Sequence, residues 1–299
     1  MRTALLVNPK SRRGASAEAA VLAALRAGGV SVTVEHTRCA GDGVRAAHEL
    51  STTHDRLFVL GGDGTVMEAI TGLAAAGSDL PVGIVPAGTG NQLARALGIS
   101  LTPARAAAQL LAGRALRVDV GILNGHRRLG IGAGLGLDAA MIAGAHGQLK
   151  QRLGVASYLV AAASVALHPR RFAVRAEVDG RVIEREAAVA MVLNLGRIFN
   201  GLLEVAPGAS LLDGQLDLVM VDARTLVDAL SFSVQEMLLR RRYGDPRWTF
   251  ARGEHVSIET VEAGVPAQVD GDLIETARLD VVVAPGAGHL LVPAGAAVI

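Results

Sequence analysis

Two glycine-rich segments contain the residues best suited to chemistry in this chain. The first reads Gly-Gly-Asp-Gly-Thr over residues 61–65 and directly follows the apolar run 57–60. The second reads Pro-Ala-Gly-Thr-Gly-Asn over residues 86–91 and follows the apolar run 82–85. A strand, a glycine loop and a helix in succession bring backbone N–H groups and a helix N-terminus close to a phosphate. One such loop serves equally well as a tight turn, but two in successive strand–helix units predict a phosphate-binding edge.

Polar side chains in and near these loops extend the prediction. Thr65 and Thr89 each offer a hydroxyl to a phosphate. Asp63 would repel an anion, so it is better suited to a metal ion or a proton. A third loop, Asn-Pro-Lys-Ser-Arg-Arg-Gly over residues 8–14, follows the first apolar run. Its cations form either a clamp on nucleotide phosphates or a solvated basic turn.

Acidic turns recur in the second half of the chain. Asp213-Gly214 precedes a strand pattern, and Asp270-Gly271-Asp272 lies between two short apolar runs. Taken alone, each favours a turn between strands. If the turns reach the nucleotide loops, they supply a carboxylate for Mg²⁺ and a base for an attacking hydroxyl, which phosphoryl transfer requires.

Composition excludes several classes of protein. The 299 residues are 51% hydrophobic with a formal net charge of +1, which indicates a sizeable core and gives no electrostatic argument for nucleic-acid binding. The single cysteine, Cys39, excludes an internal disulfide. The N-terminus lacks the pattern of a signal peptide, and the apolar run 153–167 is shorter than the roughly 20 residues of a membrane span. We therefore expect a cytoplasmic protein without stable transmembrane insertion.

Hydrophobic patterns divide the chain into two domains. Strand and helix patterns alternate over about the first 120 residues, which predicts a parallel, doubly wound sheet. Strand patterns then dominate, with helical patterns at 137–146, 153–167 and about 226–241, and Asp179-Gly180 is a hairpin signal. We predict an α/β domain over residues 1–125, to which residues 286–299 return, and an antiparallel β-rich domain over residues 126–285.

These motifs, in this order, resemble the diacylglycerol kinase catalytic-domain family, in the bacterial lipid kinase branch that also contains the sphingosine kinases. The matching positions are Asn8-Pro9 with Gly14, Thr37, residues 61–65, Pro86-x-Gly88-Thr89-x-Asn91 with Ala94-Arg95, Asp213-Gly214 and Asp270-Gly271-Asp272. The resemblance implies an N-terminal Rossmann-like, NAD kinase-like nucleotide-binding domain and a C-terminal β-sandwich domain for the lipid, with the active site in the cleft between them.

The resemblance also implies roles for individual residues. The residues implied in ATP binding are Asn8, Pro9, Lys10, Ser11, Arg12, Thr37, Gly61, Gly62, Asp63, Gly64, Thr65, Val66, Met67, Gly88, Thr89 and Asn91. It implies a Mg²⁺ site at Asp213 with backbone oxygens of Ser210 and Gln215. It implies that the acidic end of the Asp-Gly-acid motif acts as the base on the lipid hydroxyl. We expect Asp272, or else Asp270, in that role, and Asp63 to organise metal or water near the γ-phosphate.

Two departures from the family pattern leave alternatives open. Asp272 stands where glutamate is usual, and Met67 where asparagine is usual. These departures motivate a catalytically inactive nucleotide-binding regulatory module as one rival to the lipid kinase. The other rival is an NAD kinase-like phosphotransferase, because NAD kinases share the Gly-Gly-Asp-Gly-Thr motif, although Met67-Glu68 does not match their Asn-Glu pair. The acceptor (diacylglycerol, a sphingoid base or phosphatidylglycerol), peripheral binding at the inner membrane face, and a monomeric or homodimeric state stay open as well.

Overall fold

The fold is described from a computed structural model, over residues 1–136, 139–140, 170–198, 203–223 and 245–296. The helices predicted at 153–167 and about 226–241, and nearly all of that at 137–146, lie outside these residues. The chain divides into two compact units: unit 1 comprises Met1–Val120 and Pro285–Ile299, and unit 2 comprises Gly121–Ala284. The sequence prediction placed the corresponding boundaries at 125/126 and 285/286.

Unit 1 is an alternation of strands and helices, as the sequence predicts. In chain order its elements are β1 (Thr3–Val7), α1 (Gly14–Ala27), β2 (Val32–His36), α2 (Asp42–Leu50), β3 (Arg56–Gly61), α3 (Asp63–Ala75), β4 (Val82–Pro86), α4 (Gln92–Ala96) and α5 (Pro103–Leu111). The four strands pair in parallel in the order β2-β1-β3-β4. The last strand of the chain, β18 (Arg278–Val292), adds its C-terminal end alongside β4 through Leu290 and Leu291.

Apolar runs explain why these strands lie inside the sheet. Every residue of β1, β3 and β4 is buried, as expected for parallel strands covered on both faces by helices. Helix α2 packs on α3 with close backbone contact, because Gly72 has no side chain to hold Val44 away. The parallel sheet places the loops after β1, β2, β3 and β4 at one edge, where the chain leaves each strand's carboxyl end.

Unit 2 is built of antiparallel strands. Its strands are β5 (Arg114–Leu123, shared with unit 1), β6 (Arg127–Leu129), β7 (Gly132–Gly136), β8 (Phe172–Val178), β9 (Arg181–Ala187), β10 (Val189–Leu193), β11 (Arg197–Ile198), β12 (Leu203–Glu204), β13 (Leu216–Val221), β14 (Trp248–Gly253), β15 (His255–Glu259), β16 (Ala267–Val269) and β17 (Asp272–Ile274). One sheet has the order β14-β13-β10-β7-β16-β17; in the other, β15 pairs with β8 and with β18, and β9 follows β8.

The two sheets of unit 2 share one hydrophobic core. Leu135 and Leu218 of the first sheet and Phe172 and Val256 of the second belong to a single buried cluster. This arrangement confirms the predicted antiparallel β-rich domain. The Asp179-Gly180 hairpin is also confirmed, since both residues have positive φ and join β8 to β9.

Across the described residues, no helix is long and apolar enough to cross a membrane.

Candidate functional site

The two glycine loops of unit 1 lie in backbone contact with each other. A Cβ placed on Gly88 would lie 2.7 Å from the Cα of Gly62, so the second loop has no room for a side chain at residue 88. The N–H of Ala87 donates to the carbonyl of Gly61 at 2.8 Å, which continues the pairing of β3 with β4 into the loops. Gly62 is the residue before α3, and no side chain among the described residues caps that helix. The contact therefore brings the backbones of the two loops together at a helix N-terminus.

Asp63 ties one glycine loop to the helix that follows the other. Its Oδ2 accepts the N–H of Gln92 at 3.0 Å and its Oδ1 accepts the N–H of Leu93 at 3.1 Å. These are the first two residues of α4, so Asp63 caps a helix that lies about 30 residues away in sequence. Desolvation raises the pKa of the Asp63 carboxyl, and the N–H groups of Gln92 and Leu93 act in the opposite direction.

Asn91 shapes the second loop from within. Its φ of 49° is in the left-handed region, which asparagine tolerates better than most residues. The side-chain Oδ1 accepts the N–H of Gly88 at 2.9 Å, and Nδ2 donates to the Gly88 carbonyl at 3.0 Å. Both polar groups of the buried amide therefore bind the loop that the residue belongs to.

The basic loop after β1 joins the same edge. Nδ2 of Asn8 donates to Oγ1 of Thr65 at 3.0 Å, and the N–H of Arg13 donates to the carbonyl of Ala87 at 3.0 Å. Nζ of Lys10 donates to the carbonyl of Arg38 at 2.7 Å, which brings in the loop after β2. The sequence-predicted segments 8–12, 61–67 and 86–91 are thus brought together.

Several predicted nucleotide-binding residues have buried side chains. Val66 is fully buried and Met67 is 5% exposed, so both side chains pack in unit 1 rather than at the loop surface. Thr37 is 7% exposed and its N–H donates to the carbonyl of Val7 at 2.9 Å. Gly64 is exposed and Thr89 partly exposed, which leaves them better placed for a ligand.

Glu68 is a residue of this edge to which the sequence analysis assigned no role. It lies on α3, and its carboxylate accepts the N–H of Gly41 at 2.9 Å and that of Gly43 at 3.0 Å. Those donors begin α2, whose Gly41 N-cap has no side-chain cap of its own. The sequence signal for this role is a carboxylate one turn after the glycine loop. The groups that Glu68 binds, however, lie 25 and 27 residues earlier in the chain.

In unit 2, Asp270 is held by the backbone of another segment. Its carboxylate accepts the N–H groups of Gly130, Ile131 and Gly132 at 3.0, 2.9 and 3.0 Å. Asp270 and Gly271 both have positive φ and form the tight turn between β16 and β17, as the hairpin interpretation of this motif predicts.

Asp272, at the other end of that turn, lies in solvent. Its side chain is 69% exposed, and Nη2 of Arg127 lies 3.3 Å from its Oδ2. Arg127 stands on β6 and had no role in the sequence analysis. The two carboxylates of the motif therefore differ: Asp270 is bound to backbone, whereas Asp272 is accessible.

Asp213 belongs to a short turn before β13. Its Oδ1 accepts the N–H of Gln215 at 3.1 Å, and Nη1 of Arg252 lies 3.7 Å from its Oδ2. Within the part of the chain that the structure describes, no group of three or more His, Cys, Asp or Glu side chains could hold a metal ion. One carboxylate with backbone oxygens is a donor set that suits Mg²⁺, which takes oxygen ligands and keeps several waters.

Comparisons with known proteins match each half of the chain to a known domain family. A family model described as the diacylglycerol kinase catalytic domain matches residues 2–123, and one described as the YegS C-terminal NAD kinase beta sandwich-like domain matches residues 132–292. A protein of Bacillus subtilis (strain 168) named diacylglycerol kinase is 30% identical over 276 residues, covering 91% of this chain and 89% of that protein. "Probable lipid kinase YegS-like" of Pseudomonas fluorescens is 32% identical over 278 residues, covering 92% and 90%.

Solved structures agree over nearly the whole length. The crystal structure of a diacylglycerol kinase from Bacillus anthracis strain Sterne has a TM-score of 0.75 at 24% identity, covering 97% of this chain and 96% of that one. A second crystal structure from the same organism has a TM-score of 0.80 at 26% identity with the same coverage.

Proposed function

Because this chain belongs to the diacylglycerol kinase catalytic-domain family of lipid kinases, we propose that it transfers the γ-phosphate of ATP, with Mg²⁺, to the hydroxyl of a lipid. The relatives named diacylglycerol kinase support diacylglycerol as the acceptor. Such an acceptor resides in a membrane, so we place the reaction at the cytoplasmic membrane face.

The observation that carries the proposal is the backbone contact between Gly62 and Gly88. The two loop backbones meet beside the N-terminus of α3, where a Cβ on Gly88 would lie 2.7 Å from the Cα of Gly62 and 3.0 Å from Oδ1 of Asn91. Backbone N–H groups at a helix N-terminus are suited to phosphate oxygens. The ATP phosphates therefore fit here, with Lys10 and Arg12 as nearby cations and Thr89 as a hydroxyl donor.

Within this site we assign positioning roles to Asn8, Asp63 and Asn91. Asn8 and Asp63 already bind neighbouring segments, at Thr65 and at Gln92 with Leu93, and Asn91 binds Gly88 of its own loop. Asp63 then acts on the nucleotide through the loop geometry, rather than by taking a proton.

Asp213, with backbone oxygens of Ser210 and Gln215, is the set that would hold Mg²⁺ in unit 2. When bound, the ion supplies positive charge near the phosphates. Arg252, 3.7 Å from the Asp213 carboxylate, orients that side chain.

We assign the base to Asp272. An accessible carboxylate can approach a lipid hydroxyl, whereas the Asp270 carboxylate already accepts three N–H groups. In the step, Asp272 accepts the hydroxyl proton, the hydroxyl oxygen forms a bond to the γ-phosphorus, and the bond to the β–γ bridging oxygen breaks to release ADP. Asp270 holds the turn on which Asp272 stands.

The proposal is tested by incubating the purified chain with γ-labelled ATP, Mg²⁺ and separate acceptors: diacylglycerol, sphingosine, phosphatidylglycerol and NAD. We expect label in diacylglycerol and loss of transfer when Mg²⁺ is chelated. Label in NAD alone would establish the NAD kinase-like alternative. Nucleotide binding without transfer to any acceptor would establish a regulatory module and overturn the kinase assignment.

A further inference from the structure

The carboxylate of Glu68 links two of the loops at the nucleotide edge. It reaches from α3, directly after the first glycine loop, to the N–H groups of Gly41 and Gly43. Each carboxylate oxygen takes one donor, at 2.9 and 3.0 Å, and charge-assisted bonds of this kind are stronger than neutral ones. The start of α2 is therefore fixed by a residue of the neighbouring strand–helix unit.

The loop that Glu68 holds also contacts a cation of the basic loop. The exposed segment Arg38–Gly41 forms a turn, because the backbone N–H of Arg38 donates to the Asp42 carboxylate at 2.8 Å. The carbonyl of Arg38 accepts Nζ of Lys10 at 2.7 Å. A continuous path of contacts thus runs from the glycine-loop helix through Glu68 and the Arg38 loop to Lys10.

Close packing leaves Glu68 little freedom. A Cβ on Gly43 would lie 2.5 Å from Oε2 of Glu68 and 2.9 Å from its Cβ, so the absence of a side chain at residue 43 is what allows the contact. The exposed carboxylate of Glu49 on the same helix, by contrast, forms a local i,i+4 ion pair with Arg45.

We propose that Glu68 is a positioning residue for the nucleotide: it holds the Thr37–Gly43 loop against α3 and thereby sets the position of Lys10 at the ATP phosphates. This inference rests on the proposed function, since it requires ATP to bind these loops. The proposed phosphoryl transfer does not require Glu68 to contact ATP or the lipid. Loss of the Glu68 carboxylate therefore weakens ATP binding and leaves the proposed base in unit 2, Asp272, unchanged.

The first test compares Glu68→Gln with the matched control Glu49→Gln in steady-state kinetics. We expect Glu68→Gln to raise KM for ATP about tenfold, with kcat and the KM for lipid within about twofold, because the amide can accept only one of the two N–H groups. Glu49→Gln should leave all three constants unchanged. In a Lys10→Met background the Glu68→Gln effect should largely disappear, because the two residues act through one path.

A second variant reaches the same contact without altering Glu68. Gly43→Ala inserts a methyl group where the Glu68 carboxylate lies, and alanine favours the helix more than glycine does. We expect a similar rise in KM for ATP with kcat unchanged.

The possible results separate the two proposals. If the wild-type chain binds ATP and Glu68→Gln lowers only the melting temperature, leaving KM unchanged, Glu68 is a structural cap and this inference is wrong while the proposed function stands. If the wild-type chain binds no ATP by calorimetry, both are overturned. An additive effect of Glu68→Gln in the Lys10→Met background would overturn the path through Lys10.

Discussion

In unit 1 the side chains of Asn8 and Asp63 bind other loops, whereas in unit 2 Asp213 and Asp272 stand in turns that form within a few residues. Asp63 caps a helix of the next strand–helix unit, but Asp213 accepts an N–H only two residues away. Asp270, also in unit 2, differs from these two carboxylates, since its three donors lie about 140 residues earlier.

This difference separates residues that arrange a site from residues free to react. A carboxylate whose oxygens accept several N–H groups stabilises loop geometry, and its loss leaves those donors without a partner. An accessible carboxylate contributes less to the fold and can meet a substrate. Substitutions in the first group should lower stability and ligand binding together, and those in the second should lower turnover alone.

The largest effect is expected at Asp272. Replacement by asparagine should lower kcat by about 10²–10⁴-fold, because a positioned base contributes about that much, and leave ATP affinity and melting temperature unchanged. Steady-state turnover measures kcat, and thermal melting gives the melting temperature. Glu275→Gln, at another exposed carboxylate just after the same hairpin, is the control. Unchanged kcat in Asp272→Asn would move the base elsewhere.

Asp270→Asn should act on the fold. The amide oxygen cannot accept all three N–H groups of residues 130–132, so we expect a loss of about 3 kcal/mol in the free energy of unfolding. Denaturant unfolding measures it. Wild-type stability with abolished turnover would instead make Asp270 the base and reverse the comparison between the two carboxylates.

Gly88→Ala tests the contact between the glycine loops. The new methyl group would lie 2.7 Å from the Cα of Gly62, which is a backbone atom, so the loops must separate. We expect ATP affinity to fall about tenfold and stability to fall by about 1–3 kcal/mol. Calorimetric titration with ATP gives the affinity.

Gly90→Ala is the steric control in the same loop. Its Cβ would lie 3.6 Å from the nearest atom, Oδ2 of Asp63, which is an ordinary contact. Equal losses of affinity in the two variants would show that the close approach of Gly62 and Gly88 is not the cause.

The smallest effect is a pH dependence at Asp42. The N–H of Arg38 lowers the pKa of the Asp42 carboxyl, with Arg38 and Arg45 adding to the effect against desolvation. A lowered folded-state pKa stabilises the protein above the unfolded-state value of about 3.9, and this stabilisation is lost as pH falls through the folded-state value. Asp42→Asn should therefore flatten the acid side of the melting-temperature profile. Parallel acid-side profiles would contradict the assignment.

Local patterns predicted much of the fold. Residue types explain some bounds directly, because Pro103 starts α5 and the short apolar run 267–269 of β16 ends at a two-residue turn. Strands β5, β7 and β14 were not predicted. β7 consists of glycines, alanine and leucine, whose pattern does not favour a strand, and only its place between β10 and β16 makes it one.

The sequence by itself determined the alternation of strands and helices in unit 1, the β-rich character of unit 2, the resemblance to the lipid kinase family, and the positions of the glycine and acidic turns. These features depend on residues within a few positions of one another. The tertiary structure alone decided that Asp63 and Glu68 cap helices of other strand–helix units and that Asp270 binds the segment 130–132 while Asp272 faces solvent. Those outcomes depend on hydrogen bonds between residues 25 to 140 positions apart, whose partners are fixed only when the sheets form.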